Sequence, residues 1–267
     1  MRPRPAPPHP LWLRPVAAAG ERGLQVWSAT AGVGRLSWQI LRRLLPPRMD
    51  ARELLRNLYT VGVKSFPIIL VTALFVGAIM VIQAGLYVQQ YGAEGLLGWG
   101  AGFATLREVS PLLIALMFNG RVGAKNTAEL GTMKVTEQID ALRALAIDPI
   151  DYLVMPRFIA MVFMMSLLVV VGDATALIGG AFTSQLLLGV DMRIFFQSLI
   201  DYVALEDFTL GVYKAATFGV AIGITSCHFG LAVSGGAVGV GKAVNNAVVA
   251  GAISIFLLNY LVTYLIP

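Results

Sequence analysis

Long charge-free apolar runs dominate the pattern along this chain. Residues 65–93, 215–241 and 243–267 contain no Asp, Glu, Lys or Arg, and each meets the roughly 20 apolar residues that a membrane-spanning helix requires. With two further apolar segments, the pattern predicts five spans at about 65–90, 103–124, 156–189, 210–231 and 245–266. The third is longer than one crossing needs, and Gly172, Gly179 and Gly180 interrupt it, so a tilt or a local break is expected there. In the fourth, Gly219 and Gly223 form a G-x-x-x-G pair that lets helices pack closely.

Ahead of the first span the period changes. Asp50, with Glu53 three residues on, predicts a capped helix start. Leu54, Leu55, Leu58 and Tyr59 then share one face, opposite Arg52, Glu53, Arg56 and Asn57. Such a helix lies along the membrane and leads into the bundle. Between Gly20 and Pro46, Trp27, Trp38, Leu41 and Leu44 alternate with Arg35, Arg42 and Arg43, a pattern open to two readings. One is a helix in the membrane interface; the other is a partly ordered basic linker. Residues 21–64 are therefore read as interfacial amphipathic helices, and the Pro-rich basic residues 1–20 as disordered.

Composition agrees with a lipid solvent: 57% of residues are hydrophobic, only 13% are charged, and the mean hydropathy is +0.74. Soluble domains carry roughly a quarter charged residues. The placement of charge adds orientation. Residues 1–64 hold 11 Lys/Arg against 3 Asp/Glu, which favours a cytoplasmic N-terminus near anionic headgroups. The segment from Arg121 to Arg157 then also lies inside with five Lys/Arg, whereas the outer connections carry Glu94, Asp191, Arg193, Asp201, Glu206 and Asp207, where acids predominate. This arrangement leaves the C-terminus outside. Scattered arginines without a recognisable fold argue against nucleic-acid binding. Cys227 is the sole cysteine, and neither His9 nor His228 has metal-ligating or triad companions in the sequence.

The stretch "GGAVGVGKAV", Gly235 to Val244, approaches a phosphate-binding loop. Such a loop follows a buried strand and ends in a Ser or Thr that holds magnesium. Here Ala243 replaces the hydroxyl and a span precedes the loop, so the glycines are read as a tight turn with Lys242 as an inside marker. No catalytic site of the chain's own is expected.

The connection "NGRVGAKNTAELGTMKVTEQIDALRALAIDPIDYLVMPR", Asn119 to Arg157, is charged yet helix-favouring. Ile139, Leu142 and Leu145 recur at helical spacing beside Glu137, Asp140 and Arg143, and Asp148-Pro149 ends the helix. A helix of this kind either docks in the groove of a soluble partner or folds back on its own bundle.

These residues resemble the MlaE-type permeases, membrane subunits of ABC transporters that move phospholipids or other hydrophobic molecules. The resemblance runs from about Leu54 to the C-terminus and rests on "GRVGAKNTAELGTMKVTEQIDAL", "DPIDYLVMPR", "LYTVGVKS", "LREVSPLL" and "GGAVGVGKA". It implies an all-α membrane protein with five transmembrane helices, a preceding interfacial amphipathic helix, and a cytoplasmic coupling helix between the second and third spans. Glu129, Gly131, Glu137, Asp140, Asp148 and Pro149 match the coupling motif. Lys125 and Asn126 stand where smaller residues are expected, and Ala243 where a hydroxyl is usual. Further implied are a homodimer in the inner membrane, separate ATPase subunits that bind ATP and magnesium, and an MCE-domain protein that exchanges lipid.

Charged groups inside the spans are the remaining candidates, because an unpaired charge in hydrocarbon costs at least a few kcal/mol. By resemblance and by charge, Arg107 is a candidate phosphate contact with Glu108 as its partner, and a structural ion pair at a helix end is the competing reading. Ile79, Ile82, Gln83 and Leu86 are expected to line the lipid pathway by analogy. Asp173 and Lys214 are expected to pair across spans three and four. Two other classes compete: a secondary transporter or channel working from an ion gradient, for which no inverted repeat is found, and a scaffold that does not transport.

Overall fold

The computed structural model of the chain describes residues 14–44 and 50–266, and these are helical with short connections. Among the described residues, five helical runs are long and apolar enough to cross a membrane: Ala51–Gln90, Glu94–Val135, Ile150–Leu188, Leu205–Leu231 and Gly236–Leu265. The five predicted spans therefore exist, but most are longer than their apolar cores.

The chain opens with α1 (Arg14–Arg43), which begins inside the stretch expected to lack order; residues 1–13 lie outside the described residues. The next helix, α2 (Ala51–Gly62), starts where the sequence pattern placed it, with the Asp50 carboxylate accepting from the Arg52 N–H at 2.9 Å. It turns at Val63–Ser65 into α3 (Phe66–Gln90). The second run comprises α4 (Leu97–Ala104), α5 (Ser110–Phe118) and α6 (Ala124–Val135), joined by π-helical turns at Thr105–Val109 and Asn119–Gly123. Helix α7 (Gln138–Ala144) follows, and a third π-helical turn, Ile150–Val154, leads into α8 (Met155–Leu188). Helices α9 (Met192–Tyr202), α10 (Leu205–Leu231) and α11 (Gly236–Leu265) complete the chain.

Helix α8 runs through the middle of the bundle. Its 34 residues extend about 51 Å at 1.5 Å per residue, well beyond a roughly 30 Å hydrocarbon core. The expected break at Gly172, Gly179 and Gly180 does not occur, because these glycines serve packing. A Cβ on Gly179 would strike the Leu74 backbone of α3, and one on Gly77 would strike the Ala176 carbonyl of α8. The two backbones thus approach through reciprocal glycines, the way small residues drive helix association in lipid. Gly219 and Gly223 likewise seat α10 against Val162 and Phe158 of α8.

Three apolar clusters stack along the bundle. The central one joins Ile69 and Ala73 to Phe118, Met165, Phe218 and Ile255. At one end, Leu36 and Ile40 of α1 pack with Leu130, Ile139, Val154 and Phe158. At the opposite end, Val81, Leu97, Ala181 and Phe195 pack together. The last group contains a helix that the sequence pattern had left as a connection. Helix α9 docks Phe195 against α3 and α4, while its Ser198 hydroxyl accepts from the Trp99 N–H at 3.1 Å.

The glycine-rich stretch is mostly helix rather than turn. Only Gly235 and Gly236 adopt left-handed backbone, at φ 84° and 70°, where glycine carries no Cβ penalty. From Gly236 onward the residues form the first turns of α11. The segment follows helix α10, so the strand that a phosphate loop requires does not precede it.

Candidate functional site

Polar side chains concentrate at the two ends of the bundle. At the end where α10 starts and α11 finishes, the Thr105–Val109 π-turn turns Arg107 and Glu108 into the helix packing. Lys214 of α10, fully buried, donates to the Glu108 carboxylate, to the Arg107 carbonyl at 3.1 Å and to the Thr263 hydroxyl at 2.8 Å. Thr263 and Asn259 of α11 donate to the same carboxylate at 3.0 and 3.2 Å. Beside them, Arg107 pairs with Asp207 at 3.1 Å, and its guanidinium lies 5.4 Å from the Phe103 ring centre. The second Asp207 oxygen accepts from the Ala204 N–H at 3.1 Å, which caps α10. Two cations and two carboxylates balance, and three helical runs are tied together. A π-turn inside a helix commonly marks a functional site, because the extra residue redirects its neighbours.

Two expected pairings are corrected. Arg107 pairs with Asp207 rather than with Glu108, since adjacent residues on a helix point in different directions. Lys214 pairs with Glu108 rather than with Asp173, and depth explains why. Lys214 sits roughly two and a half turns into α10 from its start, whereas Asp173 sits roughly four turns from the corresponding end of α8. Asp173 is 1% exposed, and neither carboxylate oxygen has a hydrogen-bond partner among the described residues. Ile79, Ile82, Gln83 and Leu86 form one exposed strip of α3, apart from the Glu108 network.

At the opposite end, α2, α6 and α8 enclose a pocket lined by Lys64, Ser65, Arg121, Lys125, Glu129 and Arg157, with Asn126 and Met161 at its back. Arg121 donates to the Lys64 carbonyl, which fixes the α2–α3 turn to the Asn119–Gly123 π-turn. Asn126 is a hub: its amide donates to Ser226 at 2.9 Å and to the Cys227 sulfur at 3.3 Å, and its oxygen accepts from Arg157 at 3.2 Å. Glu129 lies 3.5 Å from both Lys125 and Arg157.

From this end an elbow projects. Its helix α7 covers seven residues, shorter than the sequence pattern suggested, and is bracketed by left-handed residues Glu137 (φ 60°) and Ala146 (φ 59°). Ile139 of α7 is buried against the bundle, while Leu145 is 71% exposed. Asp140 holds the corner together through Lys134 and Arg143, each at 3.0 Å. The Lys134 hydrogen bond, helped by Arg143, keeps the Asp140 carboxyl below its ordinary range. Asp148 binds Arg43 of α1 at 2.6 Å and caps the next turn by accepting from the Ile150 N–H at 2.9 Å, with buried Pro149 between. Gly131 lies where a Cβ would press on Val233.

Arg43, Asn126, Arg157, Asp207, Asn259 and Thr263 carry much of this architecture; sequence reasoning missed the contacts of the first four and did not single out Asn259 and Thr263 at all. Only the intramembrane position of Asn259 offered a signal, since a polar amide within a span is rare without a partner.

The pattern of the family described as Permease MlaE matches residues 54–265. A probable ABC transporter permease protein of Synechocystis is 38% identical over 230 residues, covering 86% of this chain and 88% of its own length. One of Rickettsia typhi is 37% identical over 230 residues, covering 86% and 89%. The chloroplastic protein TRIGALACTOSYLDIACYLGLYCEROL 1 of Arabidopsis thaliana is 33% identical over 231 residues, covering 85% of this chain and 65% of its own. With the family pattern spanning every membrane-crossing helix, the chain is a multi-pass membrane protein that belongs to the MlaE permease family.

Proposed function

We propose that the chain is the permease subunit of an ABC transporter, working as a homodimer in the inner membrane, that moves phospholipid or a related hydrophobic molecule. ATP and magnesium bind a separate ATPase, and an MCE-domain protein exchanges the lipid on the far side. The observation that carries this reading is the exposed, braced elbow at one end of a five-span bundle of permease type. Its five Lys/Arg from Arg121 to Arg157 favour the cytoplasmic side, where an ATPase works. Helix α7 is held at Ile139 and Asp140, and Leu145 at its C-terminal end is exposed. The two left-handed residues at its ends store strain of the kind found at switch regions, roughly 1 kcal/mol or more each.

Lipid as cargo is supported by a relative whose name is that of a galactolipid. The exposed strip Ile79, Ile82, Gln83 and Leu86 on α3 offers a lipid-facing or subunit-facing wall.

Site-directed cross-linking tests the elbow. Cys227 is the native thiol and is buried, so Leu145→Cys supplies the one reactive position. Labelling from the cytoplasmic side alone, with a cross-link to the ATPase, is the expected result. Labelling from the other side overturns the orientation and with it the coupling role.

A further inference from the structure

We propose that the pocket between α2, α6 and α8 is a binding site for the phosphate group of an anionic ligand, distinct from the network around Glu108. Its charge is unbalanced: four cationic side chains, Lys64, Arg121, Lys125 and Arg157, line it against one carboxylate, Glu129. The network at the other end is neutral by comparison. A cluster of like charges around one cavity repels itself unless a counter-charge enters, and oxygen-rich phosphate satisfies several such donors at once.

Unspent hydrogen-bonding capacity points into the same space. Arg157 is 5% exposed and Ser65 is 1% exposed. The Arg157 Nε and the Ser65 Oγ have no partner among the described residues. A buried donor without a partner costs about 1–3 kcal/mol. Both groups line the pocket, and a phosphate oxygen is an acceptor suited to each.

The position matches a headgroup. The pocket sits at the α2–α3 turn, where an amphipathic helix meets the first span, and the chain on either side of Lys64 and Ser65 exposes Val63 and Phe66. Basic pockets among spanning helices at a membrane face are suited to acidic lipid headgroups. An acyl chain running past Val63 and Phe66 would make the ligand an amphiphile; a free phosphate compound would use the same donors from solution.

The test uses the full chain in a non-ionic maltoside, titrated separately with dihexanoyl phosphatidic acid and with inorganic phosphate. Native mass spectrometry counts bound ligand, and thermal unfolding reports affinity. Saturable binding of one ligand per pocket is expected. A response to phosphatidic acid alone identifies a lipid source, and an equal response to inorganic phosphate a soluble one. Arg157→Gln removes a buried donor and risks misfolding, so the deciding variant is the double substitution Lys64→Gln/Lys125→Gln at exposed positions. It is expected to bind at least about tenfold more weakly, the scale of one or two charge-assisted contacts. Glu129→Gln, which removes the only carboxylate, is expected to bind more tightly, and Arg193→Gln at the opposite end to bind unchanged. Absence of saturable binding by either ligand, or a double variant that binds like the parent, overturns the proposal.

Discussion

The two ends of the bundle treat buried charge in opposite ways. Around Glu108 each cation has its anion, and Thr263 and Asn259 satisfy the remaining carboxylate positions. Around Arg157 four cations face one half-exposed carboxylate, and donors remain unused. The first arrangement balances its charges within one chain and leaves only the Asn259 amide oxygen without a partner among the described residues, so its energy goes into holding the Thr105–Val109 turn, α10 and α11 in register. The second is complete only with something added. The same residue types thus build a fixed joint at one end and a receptor at the other.

The largest effect is expected where the closed network is opened. Glu108→Ala leaves the fully buried Lys214 ammonium without its carboxylate, and breaking one side of a buried pair costs about 3–5 kcal/mol. A large drop in unfolding temperature in lipid nanodiscs checks this. Adding Lys214→Met should recover most of the loss, because an apolar replacement of the whole pair is close to neutral. If the single change costs nothing, the network is not a joint.

A smaller effect is expected at the receptor end from Asn126→Ala. It deprives Ser226, Cys227 and Arg157 of one partner, and each loss of a hydrogen bond with a buried group is worth about 1 kcal/mol. Unfolding temperature should fall modestly, while phosphate binding changes more than stability does. A double-mutant cycle with Arg157→Lys separates the two.

The smallest effect belongs to the elbow surface. Asp140 is held below its ordinary range by Lys134 and Arg143. Its contribution is therefore present above the ordinary carboxylate value and lost as pH falls through the lowered folded value. Exposed pairs are screened by solvent and salt, so Asp140→Asn should lie only slightly below the parent in unfolding temperature, by a constant amount between pH 5 and 8, and should converge with it under acid, where the parent's carboxyl is protonated. A marked shift at neutral pH would show that the elbow contributes to global stability.

Much of the fold was legible in one dimension. Runs without charge located the spans, because lipid admits little else. Asp50 announced α2, and Gly219 with Gly223 announced a close helix crossing. Details that depend on depth were not legible. The pairing of Lys214 with Glu108 rather than Asp173 joins residues more than a hundred positions apart, and nothing in their local sequences sets their height in the bundle. The π-turn at Thr105–Val109 has no compositional mark, although it is what brings Arg107 and Glu108 to different partners. Helix α9 did carry a signal: Phe195, Ser198 and Leu199 fall at helical spacing, but their eleven-residue element was too short to separate from a polar connection.

The most direct measurement is ATP-dependent lipid transfer in proteoliposomes that hold the chain with or without the proposed ATPase partner. Fluorescent phospholipid should move only when the ATPase and Mg-ATP are both present, and Glu137→Pro, which cannot adopt the left-handed backbone at the elbow, should abolish movement while the complex still assembles. Transfer by the chain alone in an ion gradient, or hydrolysis of ATP by the chain alone, would contradict the account.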